Sequence, residues 1–230
     1  DIAACARIAH RRGILLGIDN TFATPVLTRP LDLGADIVMH SATKYLGGHS
    51  DVLGGALVVA DQELYRRLYF VQNATGATLG AFESYLVARG LKTLELRVCE
   101  QCRTAQRLAE FLAGDPRVGR VLYPGLPSHP GHEIAARQMD GGFGAMLSFE
   151  TCGDFAQTKR VAEGTKLFRL AVSLGAVDSL ITHPASTTHQ QLTAEEQLRA
   201  GVTPGLIRIS VGIENIEDIL RDLDQALRAA

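Results

Sequence analysis

The sequence predicts an α/β unit followed by a smaller α+β unit. Short apolar runs ending in polar residues alternate with helical stretches over roughly the first half. Near residues 112–118 the texture changes to alternating strands and shorter helices. A long helical stretch between these parts stops at a Gly-Asp-Pro sequence. Alternation of apolar runs with helices is the mark of parallel α/β structure, and strands of alternating polarity mark a half-buried sheet. Residues 1–114 are therefore read as the α/β unit and residues 115–230 as the α+β unit.

The elements follow in order. "DIAACARIAHRRG" reads as a helix capped by Asp1 and ended by Gly13. Residues 14–19, 35–41 and 54–60 are short apolar runs read as buried parallel strands. A loop with a short helix joins the first two, and Asp61 caps the helix after the third. Residues 81–116 are strongly helical, with an interruption near Gly90 and a stop at Gly114–Pro116. Beyond that, "RVGRVLYPG" is a strand and turn, and residues 144–151 alternate as a half-buried strand. Residues 154–163 are helical, "LFRLAVSLG" is strand-like, "TAEEQLRAG" is a short helix and "LIRISVGIE" is a strand. The closing helix is amphipathic and capped by Asn215, and the second sheet is expected to be antiparallel.

At 230 residues the chain can bury a substantial core. Its formal net charge of −2 gives no electrostatic reason for a nucleic-acid or membrane partner. No apolar run approaches the roughly 20 residues that span a bilayer. Four cysteines without scaffold spacing fit a reducing, cytoplasmic setting. The opening helix feeds directly into a strand, which reads as the middle of an α/β unit and suggests a piece of a longer chain.

The chemistry concentrates in "VMHSATKYLGGHSDVLGGALVV". Ligand sites in open α/β sheets lie beyond the carboxyl ends of strands. Asp19 ends one strand, and Ser41, Thr43 and Lys44 follow the end of the next. A lysine partly removed from water can act as an amine nucleophile. Two hydroxyls suit a phosphate, and a strand-end carboxylate suits a protonated ring nitrogen. Together these are what pyridoxal phosphate asks of a protein. Taken singly, each residue has a plainer role: the acid a turn former, the lysine a solvated group, the glycines turns. A nucleotide loop is a rival, but GxxxxGK[ST] is absent and Lys44 precedes its glycines.

The segment "DNTFATPVLTRPLDLGADIVMHSATKYLGGHSDVLGGALV" resembles the cofactor-lysine region of the Cys/Met-metabolism family of pyridoxal-phosphate enzymes. The likeness continues through "FVQNATGATLGAFESYLVARGLKTLELR", "YPGLPSHPGHEIAARQM", "AVSLGAVDSLITHPASTTH" and "LIRISVGIEN", and so spans essentially the whole chain. It implies part of a fold-type I large domain followed by a smaller C-terminal domain. It also implies pyridoxal 5′-phosphate as cofactor, an amino acid as substrate and a homo-oligomer built as a dimer of dimers. Lys44 matches the Schiff-base lysine, Asp19 the acid paired with the pyridine nitrogen, and Ser41 and Thr43 the phosphate-binding hydroxyls. Ser173 and Arg208 match residues at the substrate carboxylate, and Thr188 matches a threonine close to the active site. The implied reaction is γ-elimination or γ-replacement of the cystathionine γ-synthase or γ-lyase type, with methionine γ-lyase and O-acylhomoserine sulfhydrylase as alternatives.

Read without the resemblance, Arg208 in an apolar strand is better explained by a structural salt bridge. His183, His189 and Tyr45 read as structural, and the CxxC of Cys99 and Cys102 has no second pair to make a zinc site. Val172, Ala176 and "ASTTH" depart from frequent family forms and divide the subfamily assignment. The glycine turn, the ring-stacking tyrosine and the N-terminal arm that relatives carry earlier are not in this sequence. A reading of another class is therefore a truncated, non-catalytic piece that needs a partner chain. A nucleotide-binding α/β domain is a weaker third reading, because no glycine fingerprint lies between a strand and a helix.

Overall fold

The computed structural model describes residues 1–229. Helix α1 (Ile2–His10) is capped by Asp1, whose carboxylate accepts the Ala4 N–H at 2.9 Å. Strand β1 (Gly17–Asp19) follows, then α2 (Thr24–Leu27) and β2 (Ile37–Ser41). A wide turn over Ala42–Leu46 leads to β3 (Gly55–Val58). Helices α3 (Gln62–Thr75), α4 (Ala81–Leu91) and α5 (Leu94–Ala113) come next, the last two parted at Lys92 and Thr93. Asp61 caps α3 by accepting the Leu64 N–H, and Gly76 ends it in the left-handed region.

The rest of the chain gives β4 (Val118–Leu122), α6 (His132–Gln138), β5 (Met146–Thr151), α7 (Phe155–Gly164), β6 (Arg169–Leu170), β7 (Leu180–Thr182), α8 (Ala194–Arg199), β8 (Leu206–Ser210) and α9 (Ile216–Arg228). Reciprocal capping boxes start α7 (Asp154 with Gln157) and α8 (Thr193 with Glu196).

Two sheets result, ordered β1-β2-β3 and β4-β5-β8-β7-β6. The first is not wholly parallel, contrary to the sequence expectation. β1 and β2 are parallel, but β3 runs antiparallel to β2. The cause is local: Ala42 and Thr43 both donate N–H bonds to the Gly54 carbonyl, so the chain re-enters the sheet at the end it left. The second sheet is antiparallel except for the parallel pair β6 and β7. The connection 171–179 leaves the sheet, touches the wide turn through Val177 N–H on the Gly48 carbonyl, and returns to start β7 alongside β6.

The main core lies between α5 and the five-stranded sheet, closed by α7 and α9. Leu108, Leu112, Phe149, Ile207, Ile209 and Ile219 are each at most 0% exposed. Each such side chain contributes about 1.5–3 kcal/mol of burial free energy. Asp222 on α9 fastens the covering layer. Its carboxylate accepts the N–H groups of Lys166 and Leu167 at 2.7 Å and of Phe168 at 3.2 Å. Large side chains remain in water on β3 (Leu57, Val58), α3 (Tyr69, Phe70) and α4 (Phe82, Tyr85).

Two histidines are buried neutral. His183 has both ring nitrogens engaged, with Ser186 Oγ and the Pro204 carbonyl each at 2.9 Å, and faces Lys159 and Glu163 more distantly. Burial lowers its pKa, and burial lowers that of His40 on β2 against the opposing charge of Asp19. Below the ordinary histidine value of 6.5 the unfolded chain takes up these protons while the fold resists them. Their contribution is therefore complete above that value and is lost as pH falls through it. The urea midpoint is expected to drop between pH 7.5 and pH 5.5, with a shallower drop in His183→Gln. A midpoint flat over this window would show that neither ring resists protonation.

Candidate active site

The wide turn after β2 decides where Lys44 goes. The Gly47 N–H bonds to the Ala42 carbonyl five residues back, at 2.9 Å, which is the π-helical pattern. Single π turns recur at functional sites. Within it Lys44 leaves the helical region (φ −96°, ψ −128°), and its side chain runs to the second half of the chain. Lys44 Nζ donates to Ser173 Oγ at 3.0 Å. Both residues line an open cavity of about 590 Å³, together with Thr43, Asp51, Val172 and Asp178. Lys44, Thr43 and Ser173, distant in sequence, are thus brought together.

Asp19 and Ser41 stand at the carboxyl ends of the adjacent parallel strands β1 and β2. They are linked through Thr21, which sequence reasoning missed. The Thr21 N–H bonds to Asp19 Oδ1 at 3.0 Å, and Thr21 Oγ1 accepts the Ser41 N–H at 2.8 Å. The signal was present as an acid two residues before a hydroxyl at a strand end, which is an Asx turn. Among the described residues Asp19 Oδ2 and the Ser41 hydroxyl have no hydrogen-bond partner, and both are open to a ligand. Asp19 is exposed, not the buried carboxylate expected from an apolar strand. Strand β1 is three residues long at the sheet edge, and nothing in the described chain covers its end. The Thr43 hydroxyl is engaged with the Gly54 backbone, accepting its N–H at 3.0 Å.

Arg208 corrects another expectation. It lies half-buried in β8 between Ile207 and Ile209, yet no carboxylate pairs with it among the described residues, and its guanidinium makes no hydrogen bond there. Burial lowers its pKa, and the nearby Tyr45 phenol opposes this. A half-buried cation without a partner is a costly arrangement unless a ligand completes it. An anionic group that accepts a guanidinium fork suits this place. Thr188 is not brought to the cavity: it is exposed, and its hydroxyl meets its neighbour His189 at 2.8 Å.

Tyr45, next in sequence to Lys44, is 1% exposed and packs into the main core. Gly175 lies against it. A Cβ at Gly175 would come within 2.7 Å of the Tyr45 nitrogen and 2.8 Å of its ring, and Gly175 has φ +79°. Gly175→Ala is expected to cost about 2–4 kcal/mol, from the left-handed backbone plus the overlap. Urea denaturation reads this directly; an unchanged midpoint would mean the 173–179 loop shifts freely. Of the two CxxC cysteines, Cys99 is exposed, and burial pushes the Cys102 thiol up to about 11.

These groups fit pyridoxal phosphate: an amine in an open cavity, an uncommitted hydroxyl and carboxylate oxygen at neighbouring strand ends, and a guanidinium without a partner among the described residues. Comparison with known proteins points the same way. Residues 1–228 match the family model described as Cys/Met metabolism PLP-dependent enzyme. The chain is 52% identical to a cystathionine β-lyase of Coxiella burnetii, over 99% of this chain and 59% of that protein. It is 54% identical to a cystathionine γ-synthase of Mycobacterium tuberculosis, over 99% of this chain and 58% of that protein. The crystal structure of CalE6 from Micromonospora echinospora, described as a cystathionine γ-lyase, superposes with a TM-score of 0.96 at 46% identity, covering all of this chain and 60% of that one. The chain thus spans about three fifths of the length of these relatives.

Proposed function

Since the chain belongs to the Cys/Met metabolism family of pyridoxal-phosphate-dependent enzymes, we propose that it carries the lysine and the carboxylate-binding arginine of an enzyme performing γ-elimination or γ-replacement. The proposed substrates are homoserine- or cysteine-derived amino acids, as in trans-sulfuration of the cystathionine γ-synthase or γ-lyase type. Methionine γ-lyase and O-acylhomoserine sulfhydrylase chemistry are the alternatives, and the mixed names of the relatives support the reaction class above any one substrate. The fold is part of the fold-type I large domain with a smaller domain after it. We read the assembly as a homo-oligomer, which the exposed apolar side chains of α3 and α4 support.

The observation that carries the reading is Lys44 Nζ held 3.0 Å from Ser173 Oγ in an open cavity, on the turn that follows the strand ending in Ser41. Bound pyridoxal phosphate would supply an electron sink for the charge left when a Cα proton is removed. Lys44 would hold the cofactor and, once released from it, move that proton with its free amine. Asp19 would keep a proton on the ring nitrogen, and Ser41 and Thr43 would donate to the phosphate. Arg208 would grip the substrate carboxylate, and Ser173 would steady the Lys44 amine between proton transfers.

The test is incubation with pyridoxal 5′-phosphate, borohydride reduction and peptide mapping. A visible absorbance band with the reduced adduct on Lys44 is expected. No adduct on Lys44 would overturn the reading for this chain and favour a piece that needs a partner chain. Arg208→Leu is expected to leave the adduct intact. It should raise the amino-acid concentration needed to displace the cofactor from Lys44 by about 10²–10³-fold, the worth of a charged two-pronged contact. An unchanged requirement would remove Arg208 from the substrate site.

A further inference from the structure

Of the three buried polar side chains of helix α5, two stand one turn apart, Arg97 at 5% and Gln101 at 0% exposure; the third is Thr104. Neither is used by the chemistry above. Each reaches at least one backbone carbonyl far away in sequence. Arg97 Nη1 donates to the Tyr45 carbonyl and Nη2 to the Gly90 carbonyl, each at 2.9 Å, and Nε donates to Thr93 Oγ1 at 3.1 Å. Gln101 Nε2 donates to the carbonyls of Ala176 at 2.8 Å and Val211 at 3.1 Å.

The targets are what matter. Tyr45 follows Lys44, Ala176 lies three residues after Ser173, and Val211 lies three residues after Arg208. One rigid helix therefore touches the three segments that bear the site. We propose that Arg97 and Gln101 are positioning residues: a two-rung brace on α5 that sets the spacing of Lys44 from Ser173 and Arg208. The assignment of those three residues rests on the function proposed above.

The geometry around each rung supports this. The Arg97 guanidinium lies against Gly48, where a Cβ would sit 2.1 Å from Nη1. Gly48 itself donates its N–H to the Lys44 carbonyl at 2.7 Å and accepts the Val177 N–H at 3.0 Å. The fork thus fixes the Lys44 turn at Tyr45 and at Gly48 together. Gly90 also must be glycine for this approach, since a Cβ there would lie 2.3 Å from the Gly47 carbonyl oxygen. No ion pair relieves Arg97 among the described residues, and burial lowers its pKa. Gln101 leaves Oε1 without a partner. Apolar side chains would fill the same space without an unpaired cation or an orphan carbonyl. Retaining both costs stability, which a role in placing carbonyls accounts for. Residues four apart on a helix face the same way, so the two rungs act along one edge of α5.

The test uses the full chain and two variants, Arg97→Lys and Gln101→Met, read by hydrogen exchange with peptide resolution and by borohydride trapping of pyridoxal 5′-phosphate on Lys44. Arg97→Lys keeps the charge and loses the fork. It is expected to speed exchange over residues 44–50 and to slow trapping, each at least tenfold, with residues 206–213 unchanged. Gln101→Met is expected to speed exchange at least tenfold over 172–179 and 206–213 and to leave 44–50 unchanged. Should Gln101→Met not fold, Gln101→Asn, too short to reach both carbonyls, takes its place with the same expectation. Exchange that rises uniformly with lost stability, or not at all, overturns the brace and leaves both residues as ordinary core groups. Wild-type chain that traps no cofactor while the variants keep the local pattern defeats the functional reading but not the brace.

Discussion

On the proposed function, Lys44→Ala is expected to abolish the borohydride-stable adduct outright and to lower any turnover by about 10²–10⁴-fold or more, the range that one positioned proton-transfer group supplies. The physical basis is that Nζ is the amine in the cavity next to Ser173, and no second lysine lines that space. The fold should scarcely notice. Lys44 is half-buried and makes one side-chain hydrogen bond, so the urea midpoint should move by no more than about 1 kcal/mol equivalent. Loss of the adduct with folding intact is the signature. An adduct surviving in Lys44→Ala, mapped to another amine, would place the chemistry elsewhere.

Asp222→Ala carries the largest expected cost in stability, about 3–5 kcal/mol. Its carboxylate is 7% exposed and receives three backbone N–H bonds from residues 166–168, where the chain leaves α7 for β6. Removing the acceptor strands those donors, the Phe168 N–H among them buried, and an N–H left buried without a partner costs about 1–3 kcal/mol. The Gln225 amide, 3.2 Å from Oδ1, loses a partner as well. Asp222→Asn keeps one acceptor oxygen but turns an NH₂ toward a donor, and roughly half the loss is expected. Urea denaturation separates the two. Equal midpoints for wild type and Asp222→Ala would show that the loop finds other acceptors or water.

Much of this was open to reading in the chain. Capping residues named their helices: Asp1, Asp61, Asp154, Thr193 and Asn215 each bond an N–H two or three residues on. Lys44 beside Ser41 and Thr43 marked the candidate site because the groups it needs stand close together in sequence. What escaped was non-local. Leu180–Thr182 is fully buried and too short to show a period, so β7 left no pattern. The reversal of β3 depends on the Gly54 carbonyl closing the turn, which no propensity encodes. Only the folded structure shows that Arg208 lacks a carboxylate. Residue type likewise says nothing of Arg97 and Gln101, whose partners lie 52, 75 and 110 residues away.

The three-stranded sheet has a practical consequence. β3 is exposed along its whole length, has an unpaired edge, and lies beside the bare rings of Tyr65 and Tyr69. Open strand edges with apolar neighbours template association between copies. In a test tube this chain by itself should behave as a sticky colloid. Scattering should grow with protein concentration and with added sulfate, and fall in dilute urea well before the fold is lost. Spectra and labelling rates measured on it are best taken at low concentration, where such clustering does not mask the labelling of Lys44.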